Sequence, residues 1–318
     1  TPNTSSAASD VYKRQDKITA SDGDSSDRYG GSVADAGDVD GDGYDDVVIG
    51  AYGHDDFLGR AYLYYGSSSG LVASSEQRVM ASDGSRHQQY GISTAGAGDI
   101  NGDGYDDVII GGRGDGRAAT YLYYGSSSGL VTSSEQKITG SDQGSDDEFA
   151  YRIASAGDID GDGYSDIIIG ARHHDGADTN AGAAYVYYGS SGGLLTVTEQ
   201  KLTASDAARY EQYGYAVGGS GDINGDGYDD VLVGANLADG TDSNTGAVYV
   251  YYGSTSGLVE SSEQKIVPPG VGSGDFSGGA VATAGDVNGD GYDDIIIGAT
   301  GDDTVSRSSG AAYVTVSY

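Results

Sequence analysis

Cysteine and tryptophan are absent from this chain of 318 residues, and proline, at 3, is nearly so. Without cysteine there is no disulfide framework and no thiolate-ligated zinc site. Three prolines beside 56 glycines exclude a collagen-like repeat. Apolar runs are short, as at Val47–Ala51 and Ile167–Ala171, far below the roughly 18 residues of a membrane span. Basic residues are few as well: 16 Lys and Arg stand against 49 Asp and Glu, a formal charge of -33, which sets aside nucleic acid and anionic lipid as partners. What remains is 37% hydrophobic with 27 Tyr, enough for a core. A chain so charged would be disordered if it lacked pattern, so pattern decides.

Residues 1–15 (TPNTSSAASDVYKRQ) match nothing else in the chain and have no apolar stretch of a signal peptide. SSAASDVYKRQ resembles the read-through translation of a transposon-type sequencing adapter. The segment is therefore set apart as unstructured and artefactual, with one domain expected over residues 16–318. It should pack against nothing, and its deletion should leave stability unchanged.

A nonapeptide recurs five times, at 38–46, 99–107, 158–166, 222–230 and 286–294. The period of roughly 60 residues is too long for helical repeats and suits four strands with generous loops. Each unit runs from an aromatic-led segment (YGGSVADAG from Tyr29) through the nonapeptide to an apolar run (Val47–Ala51). A polar stretch, an alternating run (AYLYYG from Ala61), GSSSGL and a short piece (QRVMASD from Gln77) complete it. Such β-branched and aromatic runs bounded by Gly, Ser and Asp read as strands. The consecutive apolar residues at Val47–Ile49 predict a strand buried on both faces; the alternation of YLYY predicts one further out.

The nonapeptide spacing suits a hard divalent cation, which takes six to eight oxygens. In the first copy Asp38, Asp40, Asp42, the Tyr44 carbonyl and Asp46 would supply them, with Gly43 permitting the turn. The other copies offer Asp99, Asn101, Asp103, Tyr105 and Asp107; Asp158, Asp160, Asp162, Tyr164 and Asp166; Asp222, Asn224, Asp226, Tyr228 and Asp230; and Asp286, Asn288, Asp290, Tyr292 and Asp294. Calcium is favoured over magnesium, which keeps its waters, and about five ions are expected, one per repeat. An EF-hand fails, because its twelfth position is Ile49, Ile110, Ile169, Val233 and Ile297 instead of Glu. Solvated acidic turns are the plain alternative, but so many clustered carboxylates repel one another without a cation.

These units resemble FG-GAP repeats, the β-propeller blades of integrin α-subunits and of many bacterial extracellular proteins. The leading pair stands as Tyr29-Gly30, Tyr90-Gly91 and Tyr213-Gly214, with Phe149-Ala150 and Phe276-Ser277 as departures. GAP is reduced to Gly50-Ala51, Gly170-Ala171, Gly234-Ala235 and Gly298-Ala299, with Gly111-Gly112 in the second unit. The resemblance implies an all-β fold, a propeller of five blades or part of a larger, seven-bladed one. It also implies an extracellular or cell-surface setting and calcium-dependent binding or adhesion, not one chemistry.

Within a blade, strands A to D are numbered outward from the axis. The last unit ends with a C strand at 312–317, while Lys17–Ser21 (KITAS) matches the D-like Lys137–Ser141 (KITGS). An N-terminal strand completing the last blade would close a five-bladed ring and remove an exposed edge. Calcium loops (A–B) and GSSSGL (C–D) share one face. The variable B–C and D–A connections share the other, where a protein or carbohydrate ligand is expected.

Catalysis would require groups that break the repeat, and the candidates are His54-Asp55, His87 and His173-His174-Asp175. They read more simply as loop residues, so no enzyme is assigned. Arg113-Gly114-Asp115 is an integrin-ligand tripeptide that composition alone would often generate. Two alternatives stay open: a scaffold for a polysaccharide-active hydrolase or lyase, and a self-assembling surface-layer or fibre protein.

Overall fold

The computed structural model describes residues 17–317 apart from 115, 117, 241, 304, 305, 307, 308 and the side chain of residue 220; residues 1–15, set apart above, lie outside them. Five antiparallel sheets follow one another along the chain, each a β-propeller blade. Blade 1 is β1 (Tyr29–Gly37), β2 (Asp46–Ala51), β3 (Arg60–Tyr64) and β4 (Gln77–Val79); blade 2 is β5 (Ser93–Gly98), β6 (Asp107–Gly112), β7 (Ala119–Tyr123) and β8 (Gln136–Ile138). Blade 3 is β9 (Phe149–Gly157), β10 (Asp166–Ala171), β11 (Ala183–Tyr188) and β12 (Leu195–Leu202); blade 4 is β13 (Tyr213–Gly221), β14 (Asp230–Ala235), β15 (Ala247–Tyr251) and β16 (Gln264–Ile266). Blade 5 has three strands among the described residues: β17 (Ser277–Gly285), β18 (Asp294–Ala299) and β19 (Ala311–Thr315).

The second strand of blades 2, 3 and 4 is buried at every residue, as its unbroken apolar run requires. The third strand lies further out than the second, as expected. Tyr62, Leu63 and Tyr64 are nevertheless fully buried, the Tyr62 hydroxyl reaching Asp22 of the segment entering the blade and the Tyr64 hydroxyl reaching Glu76 just before β4. A bulge opens each nine-residue first strand, between Tyr29 and Ser32 in β1. Its register corrects the reading of the fifth unit. Ser277 pairs with Ala299 as Tyr213 pairs with Ala235, so Ser277-Gly278 holds the aromatic-glycine position and Phe276 precedes it. Phe276 instead takes the left-handed conformation (φ 55) of Arg28, Gln89, Glu148 and Gln212.

Blades stack through apolar rows that run across the sheets. Ala34, Val48 and Leu63 form the row of blade 1, and Val48 and Leu63 are buried against blade 2. Ile109 with Leu122, Ile168 with Val186, and Leu232 with Val250 repeat the arrangement. Each such side chain contributes roughly 1.5–3 kcal/mol by leaving water. Blade 5 has the same row, Ala282, Ile296 and Val314, but Ile296 is 36% and Val314 53% exposed. On blade 1 the opposite face leaves Val33 66% exposed. Gly37, Gly98, Gly157 and Gly221 each touch the eighth loop residue of the next blade, whereas Gly285 has nothing within 4 Å. The described blades therefore form an open arc, and the five-bladed closure does not occur. Residues 17–20 form no strand; Ile18 and Ala20 pack on blade 1 instead.

A polar clasp locks each of the first three junctions. Ser82, at the end of blade 1, gives its N–H and hydroxyl to Glu135 of blade 2; Ser141 does so to Glu199, and Ser205 to Glu263. The following Asp83, Asp142 and Asp206 accept from Tyr121, Tyr185 and Tyr249 and pair with Lys137, Lys201 and Lys265. Ser21 and Asp22 make the same clasp on blade 1, to Glu76 and Tyr62. Burial works against the charge of Glu76, but hydrogen bonds from Ser21, Arg78 and Tyr64 outweigh it and hold its pKa down from 4.5 to about 2. A depressed carboxyl gives stability that is complete above its unfolded pKa and is lost as pH falls toward its folded one. Glu76→Gln should therefore lower the melting temperature at pH 6, and the deficit should fade between pH 4.5 and 2. A deficit of equal size at both ends of that range would show that the charge is not what the clasp uses.

Candidate functional site

Each nonapeptide forms the turn from the first to the second strand of its blade. In blade 1, Asp38 accepts N–H bonds from Asp42 and Gly43, each at 2.9 Å, and Asp42 accepts one from Tyr44 at 3.0 Å. Gly43 sits at φ +88°, the left-handed turn its place in the sequence required. Oxygens of Asp38, Asp40 and Asp42 can lie within 4.8 Å of one another, and so can those of Asp158, Asp160 and Asp166. In the other three copies an asparagine takes the third position, and its amide donates to the fifth-position carboxylate: Asn101 to Asp103, Asn224 to Asp226 and Asn288 to Asp290.

The ninth-position carboxylates are fully buried, and their oxygens are engaged. Asp46 accepts from Val39 N–H at 3.0 Å and Gly66 N–H at 2.8 Å, so it ties the loop to the end of the third strand. Asp107, Asp166, Asp230 and Asp294 repeat the tie. Burial, and then the carboxylates nearby, push Asp46 up to about 6 and Asp107, Asp166 and Asp230 to about 7, against the pull of those N–H groups. A hard divalent cation would relieve that repulsion, and the donor set of oxygens is the kind it takes. In the first and third loops, where three carboxylates converge, the residues fit the group.

Two loop positions have roles that the ligand pattern did not reveal. The seventh-position ring lies on the fourth-position glycine of the preceding blade: Tyr105 on Gly41, Tyr164 on Gly102, Tyr228 on Gly161 and Tyr292 on Gly225. The eighth-position carboxylate reaches back too, Asp106 accepting from Asp38 N–H at 2.8 Å and Asp229 from Asp158 N–H at 2.8 Å. The signal was present as Gly-Asp-Gly-Tyr in every copy. Another missed device is the buried Asp27, Gln88, Asp147, Glu211 and Asp275, each accepting the N–H three residues earlier and pinning the loop into the first strand.

On the opposite face the candidate catalytic groups diverge. His174 is buried and accepts the Gly176 N–H at 2.8 Å, while Asp175 accepts from Asn180 and His173 faces Glu148 and Gln212. His54 is buried against Asp27 at 2.9 Å, and His87 stacks on Phe57. Asp115 of the Arg-Gly-Asp string lies outside the described residues. Directly after the second strand the five blades place Tyr52, Arg113, Arg172, Asn236 and Thr300, four residue types at one position of the scaffold.

The FG-GAP repeat profile matches residues 149–187 and 277–315, a second FG-GAP repeat profile matches 196–251, and an FG-GAP-like repeat profile matches 38–110. Integrin alpha pat-2 of Caenorhabditis briggsae is 30% identical over 224 residues, covering 63% of this chain and 17% of the relative. Integrin alpha-4 of Xenopus laevis is 31% identical over 204 residues, covering 62% and 18%. The chain thus spans less than a fifth of the length of these relatives. Among solved structures, the rhamnogalacturonan lyase YesW superposes with a TM-score of 0.40 at 12% identity, over 75% of this chain and 48% of the lyase.

Proposed function

Because the chain belongs to the integrin-alpha-like FG-GAP repeat proteins, we propose that it is a calcium-stabilised ligand-binding or adhesion scaffold of the cell surface or extracellular space. All five loops, with the ligands named above, each hold one calcium ion on one face. The ligand binds the other face, on the connections between second and third strands and between blades. The observation that carries this reading is the contrast between the faces. Loop positions repeat almost unchanged from blade to blade, whereas the equivalent positions on the other face hold Tyr52, Arg113, Arg172, Asn236 and Thr300, an aromatic, two cations, an amide and a hydroxyl. Packing alone would allow the second face to be as uniform as the first.

The test is an array of matrix proteins and glycans probed with the labelled protein in millimolar calcium and again with chelator. Binding should require calcium and should be lost in Arg172→Gln, which leaves a neutral hydrogen-bond donor beside Glu148, in protein that still melts cooperatively. Turnover of a polysaccharide on the array, abolished by changing His173 and His174 together to alanine, would replace this reading with an enzymatic one. Concentration-dependent filaments would replace it with self-assembly.

A further inference from the structure

Three arginines of this acidic chain meet around one tyrosine. The guanidinium carbons of Arg172, Arg152 and Arg113 lie 3.8, 4.8 and 5.2 Å from the centroid of the Tyr151 ring, and Arg172 is also 5.4 Å from Tyr215. The two rings are 5.2 Å apart. One carboxylate, Glu148, serves both Arg113 and Arg172. Arg152 is exposed, gives one hydrogen bond to the Tyr151 carbonyl at 3.1 Å, and among the described residues has no carboxylate partner. The cluster borders a depression of about 660 Å³ lined by Gln89, Arg113, Ser145, Asp146, Glu148 and His173.

The repeat shows that packing does not ask for these residues. Arg152 pairs with Gly170 in the sheet, and the positions paired with the matching glycine in the other blades are Ser32, Ser93, Ala216 and Ala280. Tyr151 stands where blades 1, 2 and 5 have Gly31, Ile92 and Gly279. Four blades fold with small neutral residues at the Arg152 position, so its charge serves something outside the core. Three guanidiniums against Glu148 and Asp146 still leave a local surplus of one positive charge, and the fork of Arg152 is free to bind a planar oxyanion through two parallel hydrogen bonds.

We propose that the blade 3 arginine–tyrosine cluster is a carboxylate-recognition site, taking an aspartate or glutamate side chain of a protein ligand. This rests on the ligand-face reading above. A peptide suits the site better than a polyanion, because the net charge of -33 repels every further negative group of a long acidic polymer, while a single carboxylate meets only the local surplus. Arg172 already covers the tyrosine faces, which leaves the fork of Arg152, not a bare ring for a sugar, as the open contact.

Calorimetric titration in calcium would compare a blocked Gly-Asp-Gly peptide, its Gly-Asn-Gly analogue and an oligogalacturonate. The aspartyl peptide should bind at least tenfold more tightly than the asparaginyl one, and Arg152→Ala should remove the difference without changing the melting temperature, since blades 4 and 5 carry alanine there. Equal affinities, or discrimination that survives Arg152→Ala, would overturn the proposal. Tighter binding of the oligogalacturonate would overturn the choice of a protein ligand. If the array finds a ligand but the peptides show no discrimination, the carboxylate site alone falls; if neither binds, the ligand face falls as well.

Discussion

Chelating calcium from the folded protein will lower its melting temperature by on the order of 5–20 °C, and magnesium will restore little of it. Extracellular calcium modules bind with dissociation constants of about 0.1–1 mM, so millimolar calcium adds roughly 0.4–1.4 kcal/mol per loop, or about 2–7 kcal/mol over five. That approaches the whole net stability of an ordinary domain, about 5–15 kcal/mol. Two variants of one loop separate the cation from the scaffold. Asp160 accepts only one backbone bond, at 3.2 Å, so Asp160→Ala should abolish most of that loop's calcium response and change little in chelator. Asp166 holds the N–H groups of Ile159 and Gly189 in a fully buried site, so Asp166→Ala should cost about 2–5 kcal/mol even without calcium. Titration calorimetry showing no calcium uptake up to about 10 mM on folded protein would leave these loops as acidic turns.

Gly182→Ala should destabilise the protein by about 3–5 kcal/mol, more than most single substitutions. Gly182 precedes β11 at φ +90°, and a Cβ there would stand 2.0 Å from the Tyr213 carbonyl oxygen and 2.5 Å from its nitrogen. Both atoms belong to the backbone of the next blade and have no room to move. A parallel bridge joins Gly182 to Tyr213 at this point, as one joins Gly59 to Tyr90 and Gly246 to Ser277. Because blades interact chiefly with their neighbours, the loss should be local. Hydrogen exchange should show faster opening at the junction of blades 3 and 4, with β2 and β3 still protected. Uniform acceleration along the chain would mean that the arc unfolds as one unit.

The strand order of blades 1 to 4 was legible from the sequence, because the acidic turn, the apolar run and Tyr-Tyr-Gly recur there in the same order; the fifth unit keeps the first two and lacks Tyr-Tyr-Gly. What misled was local resemblance without tertiary context. Phe276 looked like the leading aromatic, but the pairing of Ser277 with Ala299 and of Ala280 with Gly298 sets the register, and Ser277 takes the place. Lys17–Ser21 looked like a fourth strand because its relatives Lys137–Ser141 include one, yet a strand needs a partner edge, and none lies beside residues 17–20 among the described residues. Its Ser21 and Asp22 still dock as their equivalents do, since that clasp depends on the blade that follows. Within the loops, the oxygen-bearing pattern was visible but the division of labour was not. Asp46 reads in sequence as one more ligand, whereas its burial and two backbone N–H partners make it a structural tie first. The arginine cluster was invisible, because Arg113, Arg152 and Arg172 come from two blades and meet only through the stacking.

The junctions also say something about how such an array can change over generations. Each of the first three is made by the same parts: a serine-aspartate pair handed forward, a glutamate and tyrosines that receive it, and a loop residue that reaches back. A copy of blade 1, 2 or 3 inserted among them would meet the same clasp on either side. The junction of blades 4 and 5 is the exception, since Pro269-Gly270 stands where the serine-aspartate pair would be. The clasp thus makes blades 1 to 3 alike as units for duplication, whereas blade 4 hands no serine-aspartate pair to the blade that follows it.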